Sequence, residues 1–230
     1  NFSRKLENGE VICEDYSHVH MLFRLAAGAM GVPYLPTFAS MGSDILNPEY
    51  DHLGKLGLRD GSNPKIPRKK YEIVKDSFYG SELIHIPAAN PDWCIAHVQM
   101  VGEEGTVRVE GQVFSDEEAI KAADKVIIIA EQVVTEEYIR RDPARNLIAP
   151  HQIDYIVEAP WGAYPTGCFG FYEPDGAFIS EFYKKTRTQD GMDAWLDKWV
   201  FGVKDFDEFL NNLGVVRLEN LRANPVFGYS

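Results

Sequence analysis

Behind Asp15 and Ser17 lies an apolar-rich stretch, Val19, Met21, Leu22, Leu25, Ala26, Ala29 and Met30, which runs up to Gly31 and Pro33. This pattern predicts a capped helix of about three to four turns, closed by glycine. From 33 to 70 the pattern is broken by Pro33, Pro36, Pro48, Gly54, Gly57, Gly61, Pro64 and Pro67, which predicts a long irregular excursion. Loops of that length in compact domains are usually functional or mobile. Residues 71–75 and 82–87 read as two short strands around a turn at Tyr79-Gly80-Ser81, and 93–100 as a third, mostly buried strand. After a turn at 102–105, Val107 and Val109 alternate with polar neighbours.

Ser115-Asp116-Glu117-Glu118 has the form of a capping box opening a short helix through Ala123. That helix leads into 126–130, a β-branched run expected to be a buried strand. Thr135 is placed to cap 136–141 ahead of Pro143, and 153–159 is a further strand candidate. Strand, helix, strand, helix, strand is the rhythm of an α/β sheet, with right-handed crossovers wherever neighbouring strands are parallel. Beyond Asp175 the apolar positions Phe178, Ile179, Phe182 and Tyr183, then Met192, Trp195, Leu196 and Trp199, then Phe206, Phe209, Leu210 and Leu213 fall three and four apart. They predict a helical C-terminal layer that covers the sheet.

With 230 residues, 45% of them hydrophobic, the chain can bury one sizeable core, and a single domain over 1–230 is preferred to two small ones. A net charge of -12 repels phosphate backbones and anionic lipid, so neither nucleic acid nor membrane is expected as a partner. The longest apolar run, 126–130, falls far short of the ~20 residues of a bilayer span. Cys13, Cys94 and Cys168 are widely spaced and form no C-x-x-C pair, which argues against a disulfide framework and a structural zinc site and fits a reducing cytoplasm. No phosphate-binding loop, zinc-protease or nucleophile-elbow motif is present. His18 and His20, two apart on a helix, point to different faces and make a poor chelate, so no metal is expected.

Several stretches resemble one family. Glu14-Asp15-Tyr16-Ser17, then 25–36 with its Gly31-Val32-Pro33 turn, then Met41-Gly42-Ser43, His97-Val98-Gln99 and Glu104-Gly105-Thr106-Val107 are similar, in order, to α chains of family I coenzyme A transferases. Residues 139–143, 157–165, 168–172 and 198–214 resemble the glutaconate branch in particular. The resemblance runs along nearly the whole chain. It implies an open three-layer α/β/α sheet of the CoA-transferase and sugar-phosphate isomerase-like fold. It also implies transfer of CoA from an acyl-CoA to a carboxylic acid, with a glutaconate-like dicarboxylate as the candidate. The CoA thioester would be substrate, with no permanently bound cofactor. The nucleophilic glutamate would lie on a β subunit, in an αβ or α2β2 assembly, and this chain would carry no catalytic residue of its own. The family's α chains begin with a glycine-rich loop near the thioester, and this sequence starts after the corresponding point.

Within that frame the candidate substrate-binding residues are Ser17, His18, Gly42, Ser43 and Gln99. Ser17 and the first turn of its helix offer an anion site as well as a cap, and the helix end would keep His18 neutral. Gly42 and Ser43 are positioned to offer backbone N–H groups to a thioester oxygen. His97 and Gln99 share one side of a strand, either as a polar site or as buried structural groups, and Glu131 ends the Ile-rich strand, where ligands gather in α/β sheets. Leu6-Glu7-Asn8-Gly9 mimics the family's S-E-N-G nucleophile motif but reads better as a helix-ending turn. Lys65, Arg68, Lys69 and Lys70, the one basic run, read as a solvated loop before a site for CoA phosphates, and Cys168 as a small buried hydrophobe before a nucleophile. Two other readings stand beside transfer: hydrolysis of a carbon–carbon bond in a cyclic keto acyl-CoA, and a ligand-sensing module of the same fold. The absence of a helix-turn-helix pattern weighs against the second.

Overall fold

A computed structural model describes residues 2–229. Helix α1 (Phe2–Glu7) ends in a turn with Gly9 at φ 72°, so Leu6-Glu7-Asn8-Gly9 is the helix-ending turn expected. Helix α2 (His18–Met30) begins where Ser17 Oγ accepts the His20 N–H at 3.2 Å, and it ends at Gly31, φ 70°. Only glycine occupies that left-handed position at little cost. Gly28 sets how close α2 can lie to the chain beside it, since a Cβ there would sit 2.2 Å from the Ala89 carbonyl oxygen.

The excursion at 33–70 is less irregular than its composition suggests. It opens with strand β1 (Tyr34–Thr37) and includes the single turn α3 (His52–Lys55). Strands β2 (Glu72–Lys75) and β3 (Glu82–Pro87) complete an antiparallel sheet in the order β1-β3-β2. β1 contains Pro36 and lies at the edge of its sheet, where a missing N–H is tolerated and where sequence patterning hides a strand. Arg59 ties the excursion down. Its guanidinium pairs with Glu14, with Asp51 at 2.9 Å, and with the Pro67 carbonyl at 2.7 Å. The basic run is not a uniformly solvated loop. Lys70 is 4% exposed, with its ammonium 5.4 Å from the Tyr16 ring centroid and 3.4 Å from the Tyr50 carbonyl, because the excursion folds over it. Lys65 meets Asp92 and Asp124.

The larger sheet contains β4 (Trp93–Gly102), β5 (Val107–Arg108), β6 (Lys125–Val134), β7 (Asn146–Ile148) and β8 (Tyr155–Glu158) in the order β7-β5-β4-β6-β8. β4, β6 and β8 run parallel, while β5 and β7 form an antiparallel arm. Helix α4 (Asp116–Ala122) connects toward β6, and α5 (Glu136–Arg140), capped by Thr135, follows it. The expected capping box does not form. Ser115 has ψ 16°, outside the extended conformation of a cap residue, and makes no side-chain bond to its helix, while Glu118 Oε2 is buried without a hydrogen bond.

Register explains how the sheet's two faces differ. Val98, Val126, Ile128 and Ala130 face Ile120 of α4 in a closed core. The other face has rows Trp93–Lys125, Ile95–Ile127–Tyr155 and His97–Ile129–Val157, paired across the strands. At its start Trp93, Ile95, Tyr155 and Val157 are exposed, and Trp93 stacks on Tyr155 with centroids 6.0 Å apart. At its end residues 159–172 cover it.

The C-terminal helices α6 (Gly176–Lys185), α7 (Gln189–Leu196), α8 (Phe206–Leu213) and α9 (Val215–Leu221) gather around an aromatic cluster of Trp161, Tyr164, Tyr172, Phe178 and Trp195. The helical layer therefore meets the sheet through residues 159–172. Asp175 anchors it by capping α6 through the Phe178 N–H at 2.8 Å and by accepting from Tyr164 Oη at 2.8 Å and from Arg217.

Candidate functional site

Strand β6 breaks its alternation at its C-terminal end, where Ala130 and Glu131 are both buried. Glu131, 4% exposed, points under residues 159–172. Its Oε2 accepts the Trp161 N–H at 2.8 Å, and its Oε1 accepts the Tyr172 hydroxyl at 2.6 Å. The same Tyr172 oxygen accepts the Ala163 N–H at 3.0 Å. Trp161 has φ 70°, an unfavourable conformation for a bulky residue, and the carboxylate holds its amide there. Its ring stacks on Tyr172 at 4.2 Å.

His97 on β4 approaches the same carboxylate. Its Nε2 lies 2.9 Å from Glu131 Oε1, yet off the direction of a hydrogen bond, and the nitrogen is buried. Gly162 leaves room for the ring, since a Cβ there would lie 3.2 Å from Nε2. Cys168 completes the group, its ligand atom lying with those of His97 and Glu131 within 4.8 Å of one another. Burial, and after it the Glu131 charge, push the Cys168 thiol up to about 12, so the sulfur is protonated. The same two causes, with the hydrogen bond to Glu131 between them, raise Tyr172 far above the usual phenol range. His97 and Cys168 border a cavity of about 360 Å³ that also meets Gln99, Glu110, Asp116 and Phe169. It lies against residues 96–99 of β4 and the start of α4 at Asp116.

The five residues read from the sequence fall into two places. Gln99 borders the cavity, but its amide is engaged: Nε2 donates to the Glu110 carbonyl at 3.0 Å, and Oε1 accepts the Glu110 N–H at 3.0 Å. Ser17, His18, Gly42 and Ser43 lie at the N-terminal end of α2 and in the neighbouring loop, joined by a contact of 3.2 Å between His20 Nε2 and the Ala39 carbonyl. His18 is exposed and meets Phe114 edge-to-face at 5.7 Å. Gly42 has φ 78°, and the Ser43 N–H and hydroxyl both donate to the Ser40 carbonyl, so Ser43 is committed to its turn. Sequence reading names His97, Glu131 and Cys168 separately and does not join them. Sheet register and the return of residues 159–172 bring them together, and the one legible signal is a carboxylate directly after a β-branched run.

Residues 1–159 match the model of the family described as Coenzyme A transferase. The chain is 35% identical over 229 residues to a glutaconate CoA-transferase chain of Acidaminococcus fermentans, covering 99% of this chain and 70% of that one. The crystal structure of glutaconate coenzyme A-transferase from the same organism superimposes with a TM-score of 0.91 over 99% of this chain and 71% of that chain, again at 35% identity. The cholesterol ring-cleaving hydrolase IpdA subunit of Rhodococcus jostii is 27% identical over 208 residues, 89% of this chain and 66% of that one.

Proposed function

The chain belongs to the coenzyme A transferase family, and on that footing we propose that it is the α-type, single-domain subunit of an enzyme moving CoA from an acyl-CoA to a short dicarboxylic acid of the glutaconate kind. The whole-length likeness to the Acidaminococcus chain, in sequence and in fold, carries this reading. A carboxylate attacks the thioester to give an anhydride and CoA thiolate, the thiolate attacks the glutamyl carbonyl to form a glutamyl-CoA thioester and release the donor acid, and the acceptor carboxylate then runs the same two steps in reverse to leave as the new acyl-CoA. The nucleophilic glutamate comes from a β partner, in an αβ or α2β2 assembly. In support, Glu131 is hydrogen-bonded through both oxygens, Glu110 is paired with Arg145, and Glu7 sits on an exposed turn. This chain shapes the acyl pocket. The first turn of α2 with Ser17 and His18 receives the free carboxylate, and Gly42 and Ser43 border it. We place the assembly in the cytoplasm, in keeping with three free cysteines. Among the described residues no helix is long and apolar enough to cross a membrane.

The test co-expresses this chain with the product of the neighbouring gene and incubates the complex with glutaconyl-CoA and labelled acetate, followed by borohydride trapping. Acetyl-CoA is expected only when both chains are present, with one reduced glutamate on the partner. Loss of thioester without acetyl-CoA would replace transfer by hydrolysis, and a modified glutamate on this chain would overturn the division of labour.

A further inference from the structure

We propose that His97, Glu131 and Cys168 form a binding site for a borderline divalent metal ion of the zinc type. The proposal goes beyond CoA transfer and does not depend on it. A nitrogen, an oxygen and a sulfur converge on one buried point, a donor set suited to zinc. With zinc bonds of about 2.0–2.3 Å, the ligand atoms of a tetrahedral site lie about 3.3–3.8 Å apart. Here the His97–Glu131 separation is 2.9 Å and no pair exceeds 4.8 Å, so the group brackets that spacing. An opening of about half an ångström on one side and a closing of at most about 1 Å on the other complete the site.

The local chemistry points the same way. Glu131 is buried, and among the described residues no Lys or Arg pairs with it. A buried carboxylate without a cation is costly, and two neutral donors offset only part of that cost. His97 Nε2 is buried beside it without a hydrogen bond. A cation between them satisfies both. The Trp161 N–H and the Tyr172 hydroxyl would hold the carboxylate in orientation, as outer groups do around metal sites. His97 and Cys168 border the cavity, which supplies an entry path and a place for a fourth ligand from solvent. On binding, the thiol releases its proton to solvent and the sulfur coordinates as thiolate. These three residues lie far apart in the sequence, so a search for ligand spacing does not find them.

The experiment strips the co-expressed complex with a chelator and titrates it with Co2+, a spectroscopic stand-in for zinc. One equivalent per chain is expected to give a near-ultraviolet sulfur-to-cobalt charge-transfer band that Zn2+ abolishes by displacement. Cys168→Ser should remove the band and Cys94→Ser should keep it, with circular dichroism verifying that both remain folded. His97→Ala, at a partly exposed position, should weaken cobalt binding by about tenfold or more. A complex that gives no band, or a band that survives Cys168→Ser, overturns the site.

Discussion

Asp175 receives the Phe178 N–H, the Tyr164 hydroxyl and the Arg217 guanidinium on one carboxylate. Burial alone would raise its affinity for a proton, but Arg217, the Phe178 amide and Tyr164 outweigh burial and hold the carboxyl at about 2, below its ordinary 3.8. A carboxylate with a lowered folded-state value stabilises the fold above its unfolded value, and that contribution fades as the pH falls from about 4 to about 2. Asp175→Asn should therefore cost about 3 kcal/mol at neutral pH, the low end for a broken buried pair because Arg217 remains a third exposed. Denaturant titrations of both proteins should show the difference shrinking across that acid window. Sequence pattern locates the start of this helical region but is silent about Arg217. The ion pair depends on α9 bringing Arg217 back to Asp175 at the start of α6, which no local signal encodes. Gln99 makes the same point: its place on the strand is legible, but its engagement with Glu110 follows from the β4–β5 turn.

At the scale of elements, α2 shows what local chemistry can specify. Ser17 and Gly31 mark both ends in the sequence, and both caps form as read. Its approach to residues 89–90 depends on Gly28, where there is no room for a methyl group. Gly28→Ala should therefore destabilise the protein by about 2 kcal/mol or more despite the better helix propensity of alanine, a loss that thermal unfolding followed by circular dichroism would measure. Strands β1 and β7 escape sequence reading because they are short and lie at sheet edges, where pairing partners replace hydrophobic pattern as the cause of the strand. The capping box at Ser115 fails for a complementary reason. Ser115 has ψ 16°, which turns it out of the extended geometry the motif needs, so the matching residues do not make the cap.

In the whole molecule, two apolar clusters meet through a few polar bonds centred on Glu131. The α/β rhythm and the family resemblance make the architecture legible, but not the junction, because it is built by register between strands and a returning segment. Tyr172→Phe removes the hydroxyl from that junction, and a buried carboxylate that loses a donor costs about 1–3 kcal/mol. We expect the parent to unfold with near- and far-ultraviolet circular dichroism in step, and the variant to lose its aromatic signal first. Coincident transitions in the variant would show that the junction does not couple the clusters. The half-bare sheet face with Trp93, Ile95, Tyr155 and Val157 has a consequence for the colloidal behaviour of the chain. A charge of -12 keeps copies apart in dilute buffer, but at physiological ionic strength the screening length contracts to about 8 Å, so copies approach to about that distance before repulsion is felt. We expect added salt to promote self-association of the isolated chain, which light scattering across a salt series would show.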